Sequence, residues 1–280
     1  MFVIEVPYIN LNQIYNSGQV FRWIKLRDSK YVIPFGNQAL KVEQQKQRLI
    51  MSCTDEQFYL TWYHYFDLRT DYCKLNFKMK RINDFMKVCA NRSSGVRIVQ
   101  QDLFESIITG IVYQDNSLYD TKCILDTIAS VCGVEHKQAM REAGRITWYE
   151  FPTPEKILEN LSALKKLRIH TDMIEDVCND IIDGWLDLLG LYDMNYEDAF
   201  STLCDFITPE AAEYVCLCGL HHMQSVSKES MIDEALAREE NLDWETFSEW
   251  HLDGAINEKG FVAQCIIHNA INPPKREVHY

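Results

Sequence analysis

Long apolar runs are missing from these 280 residues. No stretch reaches the length needed to cross a bilayer, and the chain does not open on a basic-then-apolar leader. Basic charge is scarce as well. Lys and Arg number 28 against 41 Asp and Glu, a formal net charge of −13. Duplex binders usually display a basic footprint that displaces counterions from phosphates. An acidic total withdraws the usual support for such a footprint, although a local basic groove remains compatible with it. The ten cysteines show neither C-x-x-C pairs nor the Cys/His spacing of a zinc site. They are expected to be free and reduced, which points to a cytoplasmic setting, with no metal and no cofactor. Internal repeats and low-complexity linkers are also absent.

What is present suits a globular protein. A hydrophobic content of 47% lets the chain bury a large core in one to three domains. Residues 1–7 alternate as a strand, and Asn16-Ser17-Gly18 reads as a turn. Residues 19–25, 31–35, 39–43 and 48–52 continue an antiparallel meander. After Tyr72 the pattern turns helical almost to the end. The apolar faces are Leu103-Ile107-Ile108-Ile111-Val112 and Ile124-Leu125-Ile128-Val131, with further helices over 152–164, 173–182, 196–204, 210–221, 230–240 and 254–271. The expected class is α+β, with an antiparallel sheet domain over 1–72, a helical domain over 73–272 and a tail over 273–280.

The most informative stretch runs from Leu203 to Ile232. Thr208 suits a helix N-cap and Pro209 the first helical position. Ala211, Ala212, Val215, Cys216 and Gly219 follow at helical spacing, with His221 and His222 expected in the last turn. This is a helix-hairpin-helix pattern. The pair His221-His222 with Cys216 or Cys218 does not close a four-ligand metal site, because the spacing is wrong. Trp244, Phe247 and Trp250 read as packing, and the acidic run 234–245 as a solvated face.

These residues carry a resemblance. The run V-C-L-C-G-L-H-H-M at 215–223 resembles the hairpin and active-site helix of the 8-oxoguanine branch of the helix-hairpin-helix DNA glycosylases. In chain order, S-G-Q-V-F-R-W at 17–23, Y-F-D-L-R-T-D-Y at 65–72, G-V-R-I-V-Q-Q-D at 95–102 and F-P-T-P-E at 151–155 are similar to further segments of that family. The resemblance spans nearly the whole chain. It implies a protein that flips a damaged base out of duplex DNA into a pocket between helical lobes. It also implies a hairpin lysine that attacks the sugar to form a Schiff base, and an aspartate about twenty residues later that positions it. Gly18 matches a glycine whose backbone reaches toward the extruded base.

The chain departs from the family at the positions that matter. The hairpin reads Phe206-Ile207-Thr208-Pro209-Glu210, without the family's glycines and with Glu210 at the lysine position. A carboxylate cannot form a Schiff base. Lys228-Glu229 stands where the family has V-D, so Glu229 is the candidate carboxylate, one methylene longer, with Lys228 beside it to neutralise it. Of the turn that fills the hole left by the flipped base, Asn116 survives and Asp115 replaces an amide. Asp120 and Asp172 stand at arginine positions. Ala263 and Ile267 occupy positions that contact the oxidised base, with Gln264 and His268 beside them. Thr208, Pro209, Asp115, Asp120 and Asp172 thus outline a former DNA-contact face that has become acidic.

Three basic positions turned acidic is a directional change. The expectation is a glycosylase-like protein that has lost base excision and acts by binding, as an acidic DNA mimic or an inhibitor of a basic or DNA-binding protein. The alternative is a monofunctional glycosylase that relies on Glu229.

Overall fold

The computed structural model describes residues 1–140, 144–167 and 169–273. Most of the tail expected over 273–280 therefore lies outside the described residues. The first lobe is a five-stranded antiparallel sheet of β1 (Phe2–Glu5), β2 (Ile24–Arg27), β3 (Lys30–Phe35), β4 (Gln38–Gln45) and β5 (Arg48–Met51), in the order β1-β5-β4-β3-β2. Strands β2 to β5 form a meander because each connection is a two-residue turn. The pairs Arg27↔Lys30, Phe35↔Gln38 and Gln45↔Arg48 close these turns. Ser29, Gly36 and Lys46 take the positive φ that such tight hairpins require. One face of the sheet buries Tyr31, Ile33, Leu40, Val42, Leu49 and Met51 against α1 (Leu11–Tyr15), Trp23, Phe58, Trp62 and Phe66.

The second lobe is helical. Its frame is α2 (Tyr72–Met79), α3 (Asp84–Arg92), α4 (Leu103–Tyr113), α5 (Leu118–Cys132), α6 (Pro154–Glu159), α7 (Thr171–Ile182), α8 (Tyr196–Cys204), α9 (Pro209–Tyr214), α10 (Glu229–Glu239), α11 (Trp244–His251) and α12 (Lys259–Ile271). Helix α4 is buried along its whole length and forms the axis of this core. The sheet and the helices together make the expected α+β architecture. No helix among the described residues is long and apolar enough to cross a membrane, and the ten cysteines are free.

Three local expectations need correction. Residues 135–149 were read within a helical region, but they form a β-hairpin of β6 (Glu135–Met140) and β7 (Gly144–Tyr149). Strand β7 carries alternating buried apolar positions, Ile146 and Trp148. Its partner strand opens on Glu135, His136 and Lys137, so the two-residue period was faint. Ile146 packs on Val32, on the other face of the sheet. The strand expected over 19–25 begins only at Ile24. Ahead of it, Gln19 and Arg22 engage the other lobe instead of a neighbouring strand. Finally, the helix expected over 210–221 ends early. Val215–Gly219 is a π-helical turn and His221 takes a φ of 64°, so the two histidines lie past the helix.

The lobes are joined by a polar seam. The buried Arg97 guanidinium donates to the carbonyls of Pro7 at 2.8 Å, Tyr8 at 3.0 Å and Asp67 at 2.8 Å, and lies 4.5 Å from the Tyr72 ring centre. The Gln19 amide donates to Arg97 O at 2.8 Å and accepts from Val99 N at 2.9 Å. Tyr214, on α9, donates to Gln19 O at 2.9 Å, which fixes the hairpin helix to the sheet lobe. Arg22 pairs with the buried Glu105 of α4 at 2.8 Å. The motif residues that carried the resemblance at 17–23 thus act chiefly as interlobe fasteners.

Candidate active site

The hairpin is α8, a short turn and α9. Thr208 caps α9 with its hydroxyl oxygen, which accepts from Ala211 N at 3.3 Å, and Pro209 takes the first helical position. Glu210 follows in the first turn, where a carboxylate suits the positive end of the helix dipole. The hairpin packs tightly on α4. A Cβ added at Gly110 would stand 2.8 Å from Ala211 O, so only glycine permits this approach.

A cavity of about 730 Å³ opens beside this contact. Its lining includes Gln114 and Asp115 after α4, Thr208, Pro209 and Glu210 from the hairpin, and Lys228 and Glu229 at the start of α10. The structure therefore brings both expected catalytic positions, Glu210 and Glu229, to one cavity, together with Asp115, Thr208 and Pro209 of the expected contact face. Its size falls in the range of small-molecule and cofactor pockets, roughly 300–1,000 Å³.

Five carboxylates line this cavity, and their partners separate them. Glu213 accepts from Tyr196 Oη at 2.8 Å and from Val226 N at 3.1 Å, and so clamps the loop before α10. Asp233 accepts from Trp244 N at 2.7 Å. Asp115 meets His170 Nε2 at 2.5 Å. Among the described residues, Glu210 and Glu229 engage no hydrogen-bond or ion-pair partner. Burial, then the neighbouring Asp233, Glu213, Glu245 and Asp243, push the Glu229 carboxyl above its ordinary pKa. Glu229 stands at the exposed mouth of the cavity.

Lys228 does not neutralise Glu229 as expected. Its amine donates to Gln114 O at 2.9 Å and lies 4.3 Å from the Tyr113 ring centre. Its backbone takes a left-handed φ of 58° immediately before α10. Burial lowers its pKa, against a smaller opposing pull from Asp115. Gln114 links the two sides of the cavity: its side-chain oxygen accepts from the Thr208 hydroxyl, while its own amide nitrogen is buried without a partner. Position 228 was noticed in the sequence only as a neighbour of Glu229. What signalled it was a lysine where a capping side chain is the favoured choice.

The remaining expected residues lie elsewhere. Gly18 has a φ of 87° and lines a separate pocket of about 280 Å³ with Leu118, Lys122 and Ile271. Ala263 and Ile267 are core residues at 1% and 2% exposure. His268 is buried, with Nδ1 2.9 Å from Ser93 Oγ, and burial pushes its pKa down to about 4. Gln264 donates to Ser17 O at 2.6 Å. Asn116 donates to Val112 O at 2.7 Å and closes the end of α4. Asp120 accepts from Ser117 Oγ at 2.7 Å in the first turn of α5, and Asp172 is exposed in the first turn of α7. Trp244 and Phe247 pack in the core, whereas Trp250 is exposed. His221 Nε2 lies 3.1 Å from the buried Asp67. Among the described residues no three His, Cys, Asp or Glu side chains are grouped to hold a metal ion.

Residues 1–107 match the family described as 8-oxoguanine DNA glycosylase, N-terminal domain. No curated protein sequence matches the chain. Among solved structures, MBOgg1 in complex with a low-affinity DNA ligand is similar at a TM-score of 0.84 and 22% identity, over 96% of this chain and 94% of that one. The 8-oxoguanine glycosylase/lyase of Clostridium acetobutylicum, bound to double-stranded DNA with cytosine opposite 8-oxoG, is similar at 0.84 and 20% identity, over 96% and 97%. The 3-methyladenine DNA glycosylase of Archaeoglobus fulgidus is similar at 0.74 and 18% identity, over 97% of each chain. The first 107 residues thus match the N-terminal domain of the 8-oxoguanine DNA glycosylases, and the chain as a whole has the fold of the 8-oxoguanine branch of the helix-hairpin-helix glycosylases.

Proposed function

We propose that this chain takes a damaged nucleoside, drawn out of DNA, into the cavity between the hairpin and α10, and that Glu229 supplies the carboxylate for base removal. The observation that carries this reading is the meeting of Glu229 and the hairpin turn in one cavity, with Glu229 left free of partners while Glu213, Asp233 and Asp115 are engaged. The DNA substrate class comes from the fold shared with the glycosylases above. As the bond from sugar to base breaks, positive charge grows on the sugar. A nearby carboxylate stabilises it, and burial and neighbouring carboxylates, which raise the Glu229 pKa, make the same group a better acceptor for a proton from the attacking water. Glu210 contributes no nucleophile.

The test is release of the free base from a duplex carrying 8-oxoguanine, followed by chromatography. Glu229→Gln keeps size and removes charge, and it should slow release by about 100-fold or more. Release that is equal in the wild-type and Glu229→Gln proteins would sink the assignment.

A second reading is favoured by charge. The cavity lining holds five carboxylates against Lys228 and His170, in a chain of net charge −13. That surface suits a binding protein without excision activity, acting in the cytoplasm as a DNA mimic toward a basic or DNA-binding protein. It predicts no base release and no duplex binding even at low salt.

A further inference from the structure

Charge is unevenly spread along this chain. Residues 169–227 hold twelve Asp and Glu and no Lys or Arg, whereas residues 72–83 hold four Lys and Arg and no Asp or Glu. In the acidic stretch, the segment 182–193 between α7 and α8 exposes apolar side chains on a fixed backbone. Gly184 ends α7 with a φ of 79°, and Trp185 N and Leu186 N donate to Asp180 O at 2.8 and 3.1 Å. The Asp187 carboxylate accepts from Leu189 N at 3.0 Å and starts a helical turn over Leu188–Leu191. Leu186 and Leu191 are buried and tie the segment to the core, yet Trp185 and Leu189 stand 76% and 79% exposed, with Ile182 and Tyr192 exposed beside them. Asp183 and Asp193 are exposed on the same segment and engage no ion pair among the described residues. Single exposed apolar residues are ordinary, but four within eleven residues, interspersed with charge, mark an interaction surface.

The basic stretch borders a groove of about 380 Å³ between the α2–α3 turn and the end of α11. Ile82, Ala255 and Ile256 give it an apolar lining, Trp250 stands 66% exposed at its edge, and Lys78 and Arg81 supply its positive charge. The Arg81 guanidinium lies 5.5 Å from the Phe77 ring centre and, like Lys74, Lys78 and Lys80, forms no ion pair among the described residues. Two carboxylates beside the groove are already engaged, Glu240 by Asn83 at 3.2 Å and Asp253 by Lys259 at 2.5 Å. Unpaired cations around an apolar groove suit an acidic surface that carries an apolar anchor.

We propose that the occupant of this groove is the 182–193 segment of a second copy of the chain, with Trp185 as the anchor and Asp183 and Asp193 facing Lys78 and Arg81. The two surfaces are complementary in shape and in charge. An exposed ring on an ordered turn meets an apolar hollow, and unpaired carboxylates meet unpaired cations. The contact is heterologous, since two different surfaces meet. Copies therefore add head to tail unless a two-fold axis closes the pair. None of these residues lines the cavity that holds Glu229, so the association stands apart from base removal.

The experiment is sedimentation velocity of the full chain from roughly 1 µM to 1 mM, the span of weak specific contacts. The sedimentation coefficient should rise with concentration, and the rise should shrink at high salt, where exposed charges are screened. Arg81→Glu blocks the groove and Trp185→Ser blocks the segment that fills it, and each should weaken association about tenfold or more. Both side chains are exposed, so melting temperatures should stay near wild type. Lys78→Glu and Leu189→Ser take their place if they do not. An equal mixture of the Arg81→Glu and Trp185→Ser proteins retains one intact groove and one intact segment. It should form dimers of one variant with the other that do not grow further, although each variant alone stays monomeric. A wild-type protein that remains monomeric over the whole range overturns the proposal. So does association that survives in both variants, or a mixture that stays monomeric.

Discussion

The interlobe seam and the cavity contain the same kinds of side chain in opposite states of engagement. In the seam, Arg97 donates to three carbonyls, Gln19 bonds both ways, and Arg22 meets Glu105. In the cavity, Glu210 and Glu229 engage nothing among the described residues, Gln114 keeps an orphaned amide nitrogen, and Lys228 rests on one carbonyl and a ring. Buried polar groups are almost always satisfied, so the orphaned Gln114 amide nitrogen is the exception in the cavity, whereas Glu210 and Glu229 are exposed and meet solvent. The seam residues hold the structure, and the cavity residues have few protein partners among the described residues.

Three substitutions or titrations test that division, in decreasing order of effect. Arg22→Ala should be the most damaging, because it strands the Glu105 carboxylate in the core, where burial already pushes its pKa up. A stability loss of about 3–5 kcal/mol is expected in urea unfolding. A loss near zero would mean the seam does not hold the lobes together.

Acid should act through His268. Its folded pKa of about 4 lies below the ordinary value of 6.5, so the unfolded chain takes up the proton first. Its contribution is complete above pH 6.5 and is lost as pH falls toward 4, at most about 3 kcal/mol. Thermal unfolding across that window should show the decline, and His268→Gln should flatten it.

Glu210→Gln should have the smallest effect on the fold, within about 0.5 kcal/mol, because the side chain is exposed and unpartnered. It should still tighten duplex binding a few-fold at low salt by removing repulsion near phosphates. A destabilisation of 2 kcal/mol would place Glu210 with the structural group instead.

The acidic residues expected at basic positions share a local physical setting. Asp120, Asp172 and Glu210 each fall in the first turn of a helix, α5, α7 and α9. A carboxylate there is favourable to the helix, typically by about 0.3–1 kcal/mol, and it occupies the end that would otherwise receive an anion. An acidic residue there steadies the helix and disfavours an anion at that end.

Much of the fold was legible because its signals are local. Thr208-Pro209 announced the start of α9, the apolar spacing of 103–112 announced α4, and the short polar turns announced the meander. The hairpin over 135–149 was not legible, since β6 begins polar and Ile146 of β7 packs on Val32 of the first sheet. The motif at 17–23 was read as a strand because its alternation is real, but Gln19 and Arg22 find their partners about 80 residues away.

The α+β order, the hairpin, a glutamate at hairpin position 210 and the acidic balance can all be read from the residues in order. These follow from residue type, spacing and charge, which need no knowledge of distant contacts. The folding of the chain buries Ala263, Ile267 and His268 in the core and makes Glu213 and Asp233 clamps. It alone decided that Lys228 turns from Glu229 toward Gln114 and Tyr113. Those outcomes depend on which surfaces meet across the chain, and burial and partner choice exist only after that meeting.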